Sequence, residues 1–129
     1  MLIKSDVAEA VIGCAIEVHR AIGPGLLESA YQACFRQELL HAGLAFKDQL
    51  AVPVRYRGVC LDCGYRLDFL VRDELVVELK SLDRILPIHK AQALTYLRLT
   101  QFPQALLINF NVPVLRHGIV SVLLNPPKP

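Results

Sequence analysis

Gly64-Tyr-Arg-Leu-Asp68-Phe-Leu-Val71, then Arg72-Asp-Glu74, then Leu75-Val-Val-Glu78-Leu-Lys80 is two short apolar strands around a charged turn. Asp68, Glu78 and Lys80 interrupt otherwise apolar runs. Strands that apolar are largely buried, and a buried charge is costly unless it is paired or bound to a cation. Side chains alternate across a strand, so Asp68 lies on the even face of the first strand, and Glu78 and Lys80 on the even face of the second. A three-residue loop, Arg72-Asp73-Glu74, pairs Val71 with Leu75 and sets Asp68 directly opposite Glu78. A two-residue turn would put them on opposite faces.

Directly opposed side chains have Cβ atoms about 5 Å apart, where like charges repel. A divalent cation between the two carboxylates removes that penalty, and Lys80 would stand beside it. This is the layout that metal-dependent phosphodiester hydrolysis needs. The competing reading is a half-exposed hairpin face on which Arg66, Asp68, Glu78 and Lys80 simply alternate with apolar residues.

The chain has 129 residues, of which 53% are hydrophobic. That is read as one domain over residues 1–129, with its core over about 8–124, and it argues against disorder. No apolar run approaches the roughly 18 residues of a membrane span, and the acidic N-terminal stretch is unlike a secretion signal. A cytoplasmic protein is expected. The net charge of +2 permits nucleic-acid binding without requiring it.

Cys60 and Cys63 form a CxxC that invites a zinc or iron–sulfur reading. Cys14 and Cys34 lie far away on amphipathic helices, however, and no histidine pair completes a ligand set. Residues three apart in a strand also point to opposite faces, so reduced thiols fit better.

Outward from the hairpin, Ser5 can cap a helix reaching about Arg20, with Val7, Val11, Cys14, Ala15 and Val18 at helical spacing. The run Ala21-Ile-Gly-Pro-Gly25 breaks it, and a second helix runs from about Leu26 to His41, ending at Gly43. Two extended segments follow, Phe46–Tyr56 and Val59–Val71, and then a strand over Glu74–Lys80. Pro87 opens a helix to about Thr100. Gln104–Phe110 reads as a strand buried on both faces, and Gly118–Leu124 as a last strand. The Pro-rich tail, residues 125–129, should fray. The order α-α-β-β-β-α-β-β is that of a mixed sheet flanked by helices.

Glu28 shares a helical stripe with Tyr31, Phe35 and Leu39. A carboxylate there could face a metal, or could simply complement the helix dipole. His89, Gln92 and Tyr96 form one ridge of the later helix, where Gln and Tyr at i, i+4 can bond a phosphate or a base edge; a solvated polar ridge is the alternative. Lys90, Arg84 and Arg98 add positive charge nearby. Neither a phosphate-binding glycine loop nor a serine triad is present.

Taken together these residues resemble the PD-(D/E)xK nuclease superfamily, and more closely its GxxExxY group. The naming motif stands as Gly25-Leu-Leu-Glu28-Ser-Ala-Tyr31, and the nuclease signature as Asp68 with Glu78-Leu-Lys80 ten residues on. Gln92-Ala-Leu-Thr-Tyr96 looks like the QxxxY element of the RecB-like branch, and Leu106–Pro113 has the look of the group. The similarity spans about residues 8–124.

The resemblance implies a restriction-endonuclease-like αβββαβ core with an extra N-terminal helix. It implies Glu28, Asp68 and Glu78 as metal ligands, and Lys80 as the group that orients the attacking water and stabilises charge on the phosphate. Gln92, Tyr96, Tyr31, His89 and Lys90 would support the site or contact nucleic acid. The expected cofactor is Mg²⁺, with Mn²⁺ able to substitute. Some relatives, the Cas4-like ones, hold an iron–sulfur cluster through four cysteines before and after the core. The four here do not match that pattern, so no cluster is expected. The expected activity is hydrolysis of nucleic acid, DNA first, in repair, recombination or defence. The alternative is a catalytically weak module that binds nucleic acid or a protein partner. A homodimer remains open, and a membrane association is not expected.

Overall fold

The computed structural model describes residues 5–125, so all but the first residue of the tail expected to fray, 125–129, lies outside them. Helix α1 (Asp6–Ile22) begins where the Ser5 hydroxyl accepts the Ala8 amide at 3.0 Å, the side-chain cap expected of serine. Its stripe of Val7, Val11, Cys14, Ala15 and Val18 is buried as the spacing predicts. Helix α2 (Glu28–His41) buries Tyr31, Phe35 and Leu39.

Five strands form the main sheet in the order β1 (Phe46–Ala51), β4 (Arg66–Val71), β5 (Leu75–Lys80), β6 (Gln104–Asn109), β7 (Ile119–Leu123). Only β5 and β6 are parallel, joined by helix α3 (Pro87–Thr100) as the crossover. Helices α1 and α2 cover one face through Phe69, Val71, Val77, Leu79, Leu106 and Ile108. Helix α3 covers the other, against Leu70, Val76, Ala105 and Leu107. Every residue of β6 is buried, as a central strand with both faces covered requires. The architecture is the expected αβββαβ core with an added N-terminal helix. Among the described residues, no helix is long and apolar enough to cross a membrane.

Two expectations need correction. The long extended segments are each broken in two. Pro53, which has no amide to donate, separates β1 from β2 (Val54–Tyr56), and a turn closed by the Gly64 amide on Asp62 Oδ1 at 3.0 Å separates β3 (Val59–Leu61) from β4. Strands β2 and β3 pair only with each other, as an antiparallel ribbon apart from the main sheet. Arg57 and Gly58 connect them, both at positive φ, as the tightest hairpin turns demand.

The decisive hairpin has the predicted register, with Val71 opposite Leu75, Leu70 opposite Val76 and Phe69 opposite Val77. Its turn combines features of both candidate geometries. Arg72 and Asp73 have positive φ, and the Glu74 amide donates to the Val71 carbonyl at 3.2 Å. Glu74 is then the extra residue that returns the pairing to Val71 and Leu75.

Candidate active site

The regular ladder between β4 and β5 stops at Phe69 and Val77, one residue short of the acidic pair. The Asp68 amide donates to Glu78 Oε2 at 2.8 Å, and the Leu79 amide donates to Asp68 Oδ2 at 2.9 Å. Each carboxylate therefore occupies the place a ladder carbonyl would fill. On the other flank, Gln49 lies between the pairs Asp48–Phe69 and Leu50–Leu67, opposite Asp68, with φ of 52°. The alternation of β4 also fails here: Phe69 and Val71 pack with α1 and α2, whereas Leu67 joins the α3 side. The sheet is locally opened around Asp68, which frees its carboxylate for other partners.

Glu78 is buried, at 6% exposure. Burial first, and the neighbouring Asp68 carboxylate second, push its carboxyl up to about 8. Burial likewise raises Asp68, against the lowering pull of the Leu79 amide. Lys80, half-buried, lies in the field of Glu28, Asp68 and Glu78 and favours the charged form of all three. Removing charge from water raises a carboxyl, and a second negative charge raises it further. A cation beside the pair relieves both effects.

Glu28 opens α2 and is raised by burial, lowered by Lys80 and raised by Asp68. Between it and Asp68 stands Gln32, whose Nε2 donates to Asp68 Oδ1 at 3.2 Å and lies 3.4 Å from Glu28 Oε1. Gln49 Nε2 donates in turn to Gln32 Oε1 at 3.3 Å. Sequence reasoning missed Gln32. The available signal was its place four residues after Glu28, on the same side of the helix.

Tyr31 is fully buried and stacks on Phe110 with centroids 4.5 Å apart. Its hydroxyl donates to the Gly23 carbonyl at 2.6 Å and accepts from the Leu26 amide at 3.2 Å. Ser81 Oγ donates to the Leu26 carbonyl at 2.6 Å, tying the same loop to the end of β5. Gly25, at φ of 96°, takes a conformation side chains rarely adopt. The Gly25-to-Tyr31 spacing thus builds a fixed entry to α2 with Glu28 at its first turn. Tyr31 itself is buried in the core and does not reach the surface.

On α3, Gln92 Nε2 donates to Tyr96 Oη at 3.0 Å. The Tyr96 hydroxyl is raised by burial and then by the field of Glu78. His89 does not join them: its Nδ1 accepts the Leu86 amide at 2.8 Å and caps the helix. Lys90 is exposed, and no ion pair holds it among the described residues. Asn109, another residue the sequence reading passed over, accepts the Leu82 amide at 3.0 Å and donates to its carbonyl at 2.9 Å, fixing the chain just after Lys80.

All four cysteines are free thiols, with Cys60 and Cys63 exposed on and beside the ribbon. Among the described residues, no three His, Cys, Asp or Glu side chains are gathered as one metal centre. The donor chemistry nevertheless fits a hard divalent ion. Such ions are often held by one or two protein carboxylates, with water and phosphate oxygens completing the shell. Asp68 and Glu78 supply that pair, and Glu28 stands behind Gln32 rather than with them.

An opened central hairpin presenting two carboxylates and a lysine, on a restriction-endonuclease-like fold, defines a nuclease-like domain. A family model described as PD-(D/E)XK nuclease superfamily matches residues 5–122, and the chain belongs to that superfamily. No curated protein and no solved structure matches it.

Proposed function

We propose that this protein is a metal-dependent nuclease of the GxxExxY group, hydrolysing phosphodiester bonds of DNA with Mg²⁺ or Mn²⁺. The observation that carries this reading is the pair of half-buried Asp68 and buried Glu78, each bonded to the other's strand, with Lys80 two residues on. Asp68 and Glu78 would hold the ion, and Glu28 would complete its surroundings through Gln32 or through water. When bound, the ion supplies Lewis-acid polarisation of the phosphoryl oxygen and a more acidic water. Lys80 places fixed positive charge where the phosphate gains negative charge, and orients the attacking water. Gln92 and Tyr96 border the site on the α3 side, and Tyr31 holds the loop that positions Glu28.

The test is cleavage of linear duplex, single-stranded, branched and circular DNA, and of RNA, with Mg²⁺ or Mn²⁺, wild type beside Lys80→Ala. Cleavage by wild type alone supports the nuclease and the role of Lys80. A second reading, a catalytically weak module that binds nucleic acid or a protein, is favoured by one observation: no third ligand is gathered with the acidic pair among the described residues. It predicts metal binding without cleavage of any substrate.

A further inference from the structure

Between the β2–β3 ribbon and α3 runs a groove of about 330 Å³ lined by Val54, Tyr65, Gln92, Thr95, Tyr96 and Leu99. We infer that this groove is a base-stacking subsite for an unpaired nucleotide, with Tyr65 as its platform.

Three observations converge on it. The rings of Tyr65 and Tyr96 lie 5.9 Å apart and tilted, and Tyr65 is 44% exposed, so the aromatic pair is partly open to solvent at the groove. Strand alternation puts Tyr56, Val59 and Leu61 on the same ribbon face as Val54, and all three are exposed. The two walls also contain no acidic residue. The ribbon from Val54 to Leu61 carries Arg55 and Arg57, and α3 carries Lys90 and Arg98, none of them ion-paired among the described residues.

An aromatic groove on two elements that carry net positive charge suits a strand whose bases stack and whose phosphates need counter-charge. A base inside a duplex is stacked on both faces by its neighbours, whereas an unpaired base can offer a face to Tyr65. Gln92 and Tyr96 line this groove, and on the nuclease reading the same two residues border the acidic site, so a base stacked there would lie toward the carboxylates. The inference rests on the nuclease reading for the nature of the occupant.

The test is fluorescence anisotropy of the full chain in EDTA, with labelled oligothymidine, the same oligomer made abasic, and a blunt duplex. Wild type, Tyr65→Phe and Tyr65→Ala are compared. Wild type and Tyr65→Phe are expected to bind oligothymidine about tenfold or more tightly than the abasic oligomer, the range of one stacked base. Tyr65→Ala should lose that preference yet bind the abasic oligomer and the duplex as wild type does, which also shows that it is folded. Failure of wild type to bind oligothymidine, equal binding of base-bearing and abasic oligomers, or an unaltered preference in Tyr65→Ala would overturn the inference. Because the assay needs neither metal nor turnover, its failure is separable from failure of the nuclease reading. A protein that cleaves nothing yet shows the Tyr65-dependent preference retains the subsite and loses the enzyme.

Discussion

Asp68 and Glu78 face each other across β4 and β5 with crossed bonds: the amide of Asp68 donates to Glu78 Oε2 at 2.8 Å, and the Asp68 carboxylate accepts from Leu79, the residue after Glu78, at 2.9 Å. Two carboxyl groups are thereby locked side by side, Glu78 buried and Asp68 half-buried, and below about pH 8 the pair retains a proton rather than carry two adjacent charges. A divalent ion can take that proton's place.

The consequence is a stability that depends on pH with a definite sign. Both carboxyls are raised in the folded state, Glu78 to about 8. The folded protein therefore binds more protons than the unfolded chain between about 4.5 and 8. Their contribution is full below the unfolded value and lost as pH rises through the folded one. In chelator, the melting temperature should fall between pH 5 and pH 8. Mg²⁺ or Mn²⁺ should raise it far more at pH 8 than at pH 5. Glu78→Gln should flatten the pH dependence and remove the metal shift; a metal shift that survives this substitution would remove Glu78 from the site.

Lys80 carries a different burden. Its charge lies in the field of all three acids without an ion pair to any of them among the described residues. Lys80→Ala should keep the metal-induced rise in melting temperature while lowering the cleavage rate by about 10²–10³, the usual scale for losing one fixed electrostatic group. Loss of the metal shift together with the rate would instead make Lys80 a structural partner of the carboxylates.

Gln32 bridges α2 to the sheet by bonding Asp68 while facing Glu28. Gln32→Ala removes the bridge and leaves both acids in place. Groups that orient metal ligands typically change affinity or rate by about 10–100-fold when removed. A loss of this size in apparent Mg²⁺ affinity is expected, with Gln32→Glu no better because it adds a further negative charge. Titration of the cleavage rate with Mg²⁺ measures it.

The hairpin register was legible because alternation and loop length are local properties, and Val71 opposite Leu75 follows from them. What lay across elements was not legible. Nothing in the spacing of Glu28 and Gln32 says that α2 docks its first turns beside Asp68. Nor does the run Phe46–Tyr56 reveal that its second half leaves the sheet, although Pro53 marks the point where a ladder bond must be missing. His89 shows the reverse limit: its place on the ridge with Gln92 was read correctly from period alone, but an unsatisfied amide at Leu86 claimed its ring.

Tyr31 offers the sharpest test of how the Gly25-to-Tyr31 motif works. Its ring is core, stacked on Phe110, while its hydroxyl serves two backbone groups of the loop before Glu28. Tyr31→Phe keeps the ring and orphans the Gly23 carbonyl and the Leu26 amide, at a cost of about 1–2 kcal/mol. The melting temperature should drop by a few degrees with the fold intact. If the hydroxyl's purpose is to position Glu28, Tyr31→Phe should also slow cleavage, and it should do so much less in a Glu28→Ala background, where there is nothing left to position. A double-mutant cycle on the cleavage rate reads this coupling directly. Additive losses would mean that the tether stabilises the loop without serving the carboxylate.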